Sequence, residues 1–241
     1  MRDELLSTET LSFRCKSERC RLMRGAAFTL VEILIALGII GVVAAMTMPT
    51  LIKKHQEMVT VNKVKKFYST MNQVYLMSVK HNDYPIYWNV SNSASNTTST
   101  QLANYLKPYL RVAKDCGTGT GCLKYTQKIK LLNGTKYRNY ETDNRYYKLI
   151  LNDGSYIWWR TSNDTYCNES SYDVTNVCGI VWTDVNGPQK PNALGKDIFI
   201  LYLTQTGIKT ATTTDDCSIN SDGWTCLGYI MKYGKMDYLY K

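Results

Sequence analysis

Twenty consecutive residues without a charge, residues 33–52, constrain this chain more than any other feature. At a rise of about 1.5 Å per residue, a helix of that length covers the roughly 30 Å hydrocarbon core of a bilayer, so the stretch predicts a transmembrane helix. One carboxylate, Glu32, lies directly before it. Burying a carboxylate in lipid costs about 2.5 to 3.5 kcal/mol at mid-bilayer and less near the interface, which predicts a partner for Glu32.

The segment before the apolar stretch indicates how the chain is oriented. Residues 1–27 contain six Lys or Arg and four acidic residues, and they lack the apolar core of a secretory signal. Basic residues cluster directly before the stretch, so the positive-inside rule predicts that this end stays in the cytoplasm. We therefore expect a single-pass membrane protein whose C-terminal part, residues 82–241, is extracytoplasmic.

Three spaced features surround the start of the apolar stretch. Residues 25–32 read GAAFTLVE, the apolar helix follows, and Pro49 lies near its end. This pattern resembles the N-terminal signature of the type IV pilin and type II secretion pseudopilin family. In that family a prepilin peptidase cleaves before a Phe, the new amino group is methylated, and the fifth mature residue is Glu. Counted from Phe28, Glu32 is fifth and Pro49 is twenty-second, as in the family.

The resemblance implies a bacterial structural subunit of a type IV pilus or a type II secretion pseudopilus. The subunit would reside in the cytoplasmic membrane and, after assembly, in a filament, where Glu32 would neutralise the amino terminus of Phe28 on a neighbouring subunit. The implied partners are copies of itself, other pilins or pseudopilins, the prepilin peptidase, the inner-membrane assembly platform and membrane lipid. No cofactor is expected beyond the calcium considered below.

The predicted cleavage site departs from the family in one residue. The family usually has Gly before the cleaved bond, whereas this chain has Ala27, with Gly25 two positions earlier. Cleavage after Gly25 would place Glu32 seventh, so the bond between Ala27 and Phe28 is the predicted site. Met23 is an alternative start that would leave a leader of only five residues.

The helix is predicted to continue beyond the membrane as an amphipathic segment, residues 53–81. Pro49 removes one backbone hydrogen bond and is expected to kink the helix near the membrane surface. In the second half, apolar side chains recur with a helical period and predict a face buried against a sheet. This predicted face consists of Met58, Val61, Val64, Tyr68, Met71, Tyr75 and Val79.

Beyond the helix, the sequence predicts a loop, a short second helix and several strands. Residues 82–100 end in a Ser/Thr/Asn run and predict a loop, while residues 101–113 predict a helix interrupted by Pro108. The clearest hairpin signal is Asn-Asp-Gly-Ser at residues 152–155. The predicted strands are residues 148–151, 156–160, 179–182, 198–203 and 226–231.

The order of these elements, a helix first and strands afterwards, predicts an α+β fold. The second half of the long helix is expected to pack on a C-terminal antiparallel sheet, and the resemblance implies the same layout. The predicted domains are a leader at 1–27, an assembly helix at 28–52, its amphipathic continuation at 53–81 and a globular domain at 82–241.

Six cysteines follow the apolar stretch and are predicted to form disulfides, since an even number is typical of an extracytoplasmic domain. Sequential pairing is expected because each neighbouring pair brackets a short polar or Gly-containing segment. Zinc binding is the alternative, but no CxxC motif occurs and neither histidine lies near a cysteine. The expected pairs are Cys116 with Cys122, Cys167 with Cys178 and Cys217 with Cys226.

The connection at residues 184–197 clusters side-chain oxygens around glycines. Calcium prefers six to eight oxygen ligands from such loops, and the resemblance points the same way, since major pseudopilins carry a calcium site in a C-terminal loop. A metal-free loop of Asx turns is the alternative, because the closing Glu of an EF-hand is missing. The candidate ligands are Asp184, Asn186, Asn192 and Asp197.

The full chain has a net charge of +9, and removing residues 1–27, which carry +2, leaves +7. This charge leaves a second function open, a DNA- or surface-binding minor pilin, although a solvated basic surface accounts for the same charge. An unprocessed, membrane-anchored protein is a third alternative. The sequence contains no HExxH motif, P-loop or GxSxG motif, so we do not expect an enzyme.

Overall fold

The computed structural model describes residues 29–88, 90, 94–125, 128–213 and 216–240. Its first element is α1, a helix of 53 residues at Leu30–Asn82, which includes Pro49. The chain divides into two compact units between Pro49 and Thr50, so the division falls within this helix. The long predicted helix is confirmed, and the kink at Pro49 stays a prediction.

The second unit contains a seven-stranded sheet in which every pairing is antiparallel. The order across the sheet is β1-β2-β3-β5-β6-β7, and β4 pairs with β5. The predicted α+β fold is therefore confirmed. The strands are β1 at Val112–Gly117, β2 at Tyr147–Leu151, β3 at Tyr156–Thr161, β4 at Glu169–Ser171, β5 at Val174–Asp184, β6 at Ile198–Thr204 and β7 at Gly207–Lys209.

The predicted hairpin is formed by β2 and β3, and its turn chemistry explains it. Gly154 has φ of 82°, the left-handed region that glycine enters without steric cost. The Asp153 carboxylate accepts hydrogen bonds from the backbone N–H of Ser155 at 3.2 Å and from its hydroxyl at 2.6 Å. Local side chains therefore hold the turn closed, which is why it could be recognised from sequence.

One face of the sheet packs against the second half of α1, and together they form the larger core. The predicted helical face is correct at Val61, Val64, Met71 and Tyr75, which are buried. It is wrong at Met58, which is 62% exposed and lies three residues before the first buried position on α1. The helix residues of the core that were missed are Phe67 and Val74.

The other face of the sheet carries a second, largely aromatic core. Adjacent residues on a strand point to opposite faces, and accordingly Trp159 lies in the core beside α1 while Trp158 lies in the aromatic core. Both side chains are fully buried. The sheet is thus covered on both sides, which explains the continuous apolar run of β6.

The second helix, α2 at Asn96–Leu106, differs from the prediction at both ends. It begins within the Ser/Thr/Asn run, where the Ser95 hydroxyl accepts a hydrogen bond from the Thr98 backbone N–H at 3.2 Å and forms a capping box. It ends before Pro108, and the following residues form a 3-10 turn and then β1. The residues predicted as loop therefore nucleate the helix, because a cap satisfies its first backbone N–H groups.

The last predicted strand is wrong, because Cys226–Tyr233 forms a helix, α3. Short apolar runs fit either structure, and only their packing decides between them. Here Gly228 lies against the backbone of Ala211, where a Cβ atom would sit 1.7 Å from the Ala211 carbonyl oxygen. Gly234, with φ of 70°, ends the helix in the left-handed conformation.

Three disulfides pair the cysteines sequentially, as predicted: Cys116–Cys122, Cys167–Cys178 and Cys217–Cys226. Each closes a short loop within the second unit, and the last one ties the first residue of α3 to the segment before it. Such bonds act mainly by restricting the unfolded chain.

Candidate functional site

Apolar side chains lie on every side of the first part of α1 and are exposed there. Leu30 is 76% exposed, Leu37 61% and Met46 73%. A helix that is apolar all round needs lipid or other helices around it. In length and composition this helix is sufficient to cross a membrane.

Glu32 lies in the first turn of α1 and caps its own helix. Its Oε2 accepts hydrogen bonds from the Thr29 backbone N–H and the Thr29 hydroxyl, both at 2.8 Å. In return, the Thr29 Oγ1 accepts a hydrogen bond from the Glu32 backbone N–H at 3.2 Å. This is a reciprocal capping box, which satisfies backbone donors at a helix start.

The role of Thr29 was missed by the sequence interpretation, although Thr29-Leu-Val-Glu32 matches the Ser/Thr-x-x-Glu signature of a capping box. The predicted processing residues Gly25, Ala27 and Phe28 lie outside the described residues. Pro49 is the last residue of the first unit and lies directly before the division.

The predicted calcium ligands lie together at the connection between β5 and β6. Asp184 is the last residue of β5, and Asp197 directly precedes β6. Both carboxylates are buried, with Asp184 0% and Asp197 2% exposed. The side-chain oxygens Asn186 Oδ1 and Asn192 Oδ1 are also buried and have no hydrogen-bond partner in the described part of the chain.

All four carboxylate oxygens already accept a hydrogen bond. Those of Asp184 accept from the Tyr125 hydroxyl at 2.7 Å and from the Asn186 backbone N–H at 3.1 Å. Those of Asp197 accept from the backbone N–H groups of Asn192 and Ala193, each at 2.7 Å. Tyr125 is distant in sequence, and no sequence signal pointed to its role here.

Burial makes these two carboxyl groups unusually weak acids. Desolvation and the nearby Asp197 carboxylate raise the pKa of Asp184 well above its usual range. Burial raises the pKa of Asp197 to about 6, although backbone N–H donors from Ala193 and Asn192 act in the opposite direction. The pair therefore resists carrying two negative charges at once.

The side-chain oxygens at this connection are the type of ligand that calcium binds, but their hydrogen bonding favours the metal-free loop. Two carboxylates and two amide oxygens make six side-chain oxygens, the lower end of the six to eight that calcium prefers, but all four carboxylate oxygens already accept hydrogen bonds. Within the described residues, no group of three or more His, Cys, Asp or Glu is arranged to hold a metal. Of the hydrogen bonds described above, the one from the Asn186 backbone N–H to the Asp184 carboxylate is that of an Asx turn. Calcium binding stays untested, and the hydrogen bonding of the carboxylates favours the metal-free loop.

Most of the second unit matches a known protein family, but the match identifies no activity. A family model described as "Family of unknown function (DUF6613)" matches residues 50–220. The match starts at Thr50, the first residue of the second unit, and the apolar part of α1 before it is not covered. No curated protein and no solved structure matches the chain.

Proposed function

The chain belongs to the DUF6613 family, whose function is unknown, and we propose that it is a structural subunit of a pilus-like filament, either a type IV pilus or a type II secretion pseudopilus. In this proposal the chain is cleaved before Phe28, held in the cytoplasmic membrane by the first part of α1, and polymerised through that same segment.

The observation that carries the proposal is the combination of Glu32 with the exposed apolar surface that follows it. The resemblance of residues 25–32 to prepilins supplies the expected role of that carboxylate, and the apolar surface of residues 33–49 supplies a reason to enter lipid or a helix bundle. The α+β unit that follows has the layout expected of a pilin.

The geometry of Glu32 is compatible with a charge partner from a second chain. Both cap bonds use Oε2, and Oε1 accepts no hydrogen bond from any residue that the structure describes. One oxygen can therefore keep the helix capped while the other meets an ammonium group. An unpaired charge is costly in an apolar bundle, so pairing with the amino terminus of a neighbour would favour assembly.

Sequencing the amino terminus of the mature protein tests the processing step. We expect N-methylated Phe28 as the first residue, with residues 1–27 removed. A mature protein that retains residues 1–27 would contradict the proposal and favour an unprocessed membrane anchor.

Two matched substitutions separate assembly from simple helix capping. Glu32→Gln removes the charge but keeps an oxygen for the cap, whereas Thr29→Ala weakens the cap and keeps the charge. If Glu32 pairs with a neighbouring amino terminus, Glu32→Gln reduces the sedimentable filament fraction at least tenfold and Thr29→Ala changes it less than twofold. A loss in Thr29→Ala that equals or exceeds the loss in Glu32→Gln would assign Glu32 to capping alone.

A further inference from the structure

A groove of about 360 Å³ lies in the second unit, where three separate segments meet. One wall is the part of α1 from Lys53 to Lys63, another is the β5–β6 connection, and the third is formed by residues near the C terminus. No local sequence pattern reveals this groove, because its wall on α1 is more than a hundred residues from the other two walls. Its basic lining residues are Lys53, His55, Lys63, Lys190 and Lys196.

The charge in the groove is mainly positive, because four lysines line it against two acidic residues, Glu57 and Asp197. The Tyr240 hydroxyl donates a hydrogen bond to the Glu57 carboxylate, and the Asp197 carboxylate is buried beneath its own loop. In contrast, Lys53, Lys190 and Lys196 form no ion pair within the residues that the structure describes. The groove can therefore attract an anion.

Two of its other contacts hold the groove in shape. The Lys63 ammonium donates a hydrogen bond to the Val185 carbonyl oxygen at 3.1 Å, which ties α1 to the β5–β6 connection. The Lys53 ammonium lies 4.4 Å from the centre of the Tyr240 ring, a cation–π contact that ties α1 to the C-terminal turn. The lysines are thus presented by a preformed site.

The groove begins where the apolar stretch ends. Ile52 is the last residue of the uncharged stretch, and Lys53 is the first residue that lines the groove; both lie on α1. From Lys53 to Lys63 the helix rises by about 15 Å. The headgroup layer of a bilayer extends roughly 5 to 8 Å beyond the hydrocarbon on each side. If residues 33–52 occupy the hydrocarbon, as the proposed function requires, Lys53 lies at the depth of the lipid phosphates.

We propose that this groove binds the headgroup phosphate of an anionic phospholipid while the chain resides in the membrane. Lys53, Lys190 and Lys196 supply the charge, since ammonium groups donate hydrogen bonds to phosphate oxygens. Val59 and Leu239 line the same groove and offer apolar contact to the lipid beyond its phosphate, which a free phosphate ion could not use. Each basic residue near an anionic membrane surface adds attraction that salt weakens.

A titration of the full chain in an uncharged detergent tests this site. The protein is labelled with ¹³C at its methionine methyl groups, since Met236 lines the groove and Met71, deep in the core beside the sheet, serves as an internal reference. The probes are dihexanoyl phosphatidylglycerol, dihexanoyl phosphatidylcholine, inorganic phosphate and a 12-nucleotide single-stranded DNA. We expect a saturable shift of Met236 with phosphatidylglycerol, and affinities at least fivefold lower for the other three.

A charge-matched pair of triple variants identifies the residues responsible. The groove variant carries Lys53→Gln, Lys190→Gln and Lys196→Gln. The control variant carries Lys80→Gln, Lys124→Gln and Lys209→Gln, three exposed lysines that do not line the groove. We expect phosphatidylglycerol affinity to fall at least fivefold in the groove variant and less than twofold in the control.

Four results would overturn the lipid site: equal affinity for phosphatidylcholine, equal affinity for free phosphate, tighter binding of the DNA, or an equal loss in the control variant. The titration requires no cleavage at Phe28. A failed titration therefore leaves the processing test of the proposed function intact, and unprocessed Phe28 leaves the titration intact.

Discussion

In residues 30–49, apolar side chains cover every side of a single helix and are exposed, whereas in the second unit a seven-stranded sheet is covered on both faces. The second unit also contains all three disulfides. In the described part of the first unit, residues 29–49, a side-chain cap between Thr29 and Glu32 holds the start of the helix.

The difference indicates where each region obtains its stability. The second unit has its own core, so it is expected to unfold cooperatively and to be sensitive to substitutions inside it. The apolar helix gains little burial from its own chain and depends on lipid or on other helices. Equivalent substitutions in the two regions should therefore have very different effects on the free energy of unfolding of the second unit.

The largest expected effect comes from removing a large core side chain. Trp159→Ala should lower the free energy of unfolding by about 3 to 5 kcal/mol, because Trp159 is fully buried and its indole N–H donates to the Ser99 carbonyl oxygen at 3.1 Å. Leu34→Ala, at a position that is 60% exposed, should leave the free energy of unfolding of the second unit unchanged. Urea unfolding of the full chain in detergent measures both. A similar loss in the two variants would show that the units are not energetically separate.

A pair of glycine substitutions gives the next largest contrast. Gly228→Ala should destabilise the second unit by about 3 kcal/mol, because the added Cβ would overlap the Ala211 carbonyl oxygen and force α3 to move. Gly38→Ala adds a methyl group with no atom within 4 Å and should leave the second unit unaffected. The thermal midpoint of each variant tests this, and an undisturbed midpoint in Gly228→Ala would contradict the packing of α3 against Ala211.

A smaller effect is expected from pH, through the buried pair Asp184 and Asp197. The unfolded chain releases the Asp197 proton near pH 3.9, whereas the folded chain holds it to about pH 6. The folded state thus binds more protons in this window, so the free energy of unfolding should fall on the order of 2 kcal/mol as the pH rises from 4 to 6. Asp143 has the opposite effect, because its hydrogen bond with Arg145 lowers its pKa to about 2. Its contribution to the free energy of unfolding is therefore lost as the pH falls from about 4 to 2.

Asp184→Asn sharpens the pH measurement because it leaves Asp197 as the titrating carboxyl group of the pair. Burial is the cause that raises the pKa of Asp197, so we expect that pKa, followed by NMR titration, to stay near 6 and the loss of stability between pH 4 and 6 to persist. A free energy of unfolding that rises between pH 4 and 6 in the unsubstituted chain would contradict the burial of the pair.

The smallest expected effect is that of calcium. Because all four carboxylate oxygens of this pair are already hydrogen bonded, excess calcium at pH 7 should leave the thermal midpoint of the second unit unchanged. Calorimetry should likewise detect no binding heat. A calcium-dependent rise in the midpoint that Asp184→Asn abolishes would instead establish a metal site.

Features with a local cause could be predicted from sequence. The helix α1 follows from an uncharged stretch and a continuing apolar period, and the β2–β3 hairpin follows from Asn-Asp-Gly-Ser. The disulfide pairing followed from short spacing. The start of α2 was also encoded locally, by the cap at Ser95, but the Ser/Thr/Asn composition suggested a loop.

The sequence by itself determined the apolar helix with Glu32 at its start, the β2–β3 hairpin and the cysteine pairs, because each depends on residues close together in the chain. Only the tertiary structure decided that Cys226–Tyr233 is a helix, that Tyr125 reaches Asp184, and that Lys53 and Lys190 share a groove. These features join residues that are distant in sequence or depend on packing against distant residues. No local pattern determines which surfaces meet when the sheet and α1 pack together.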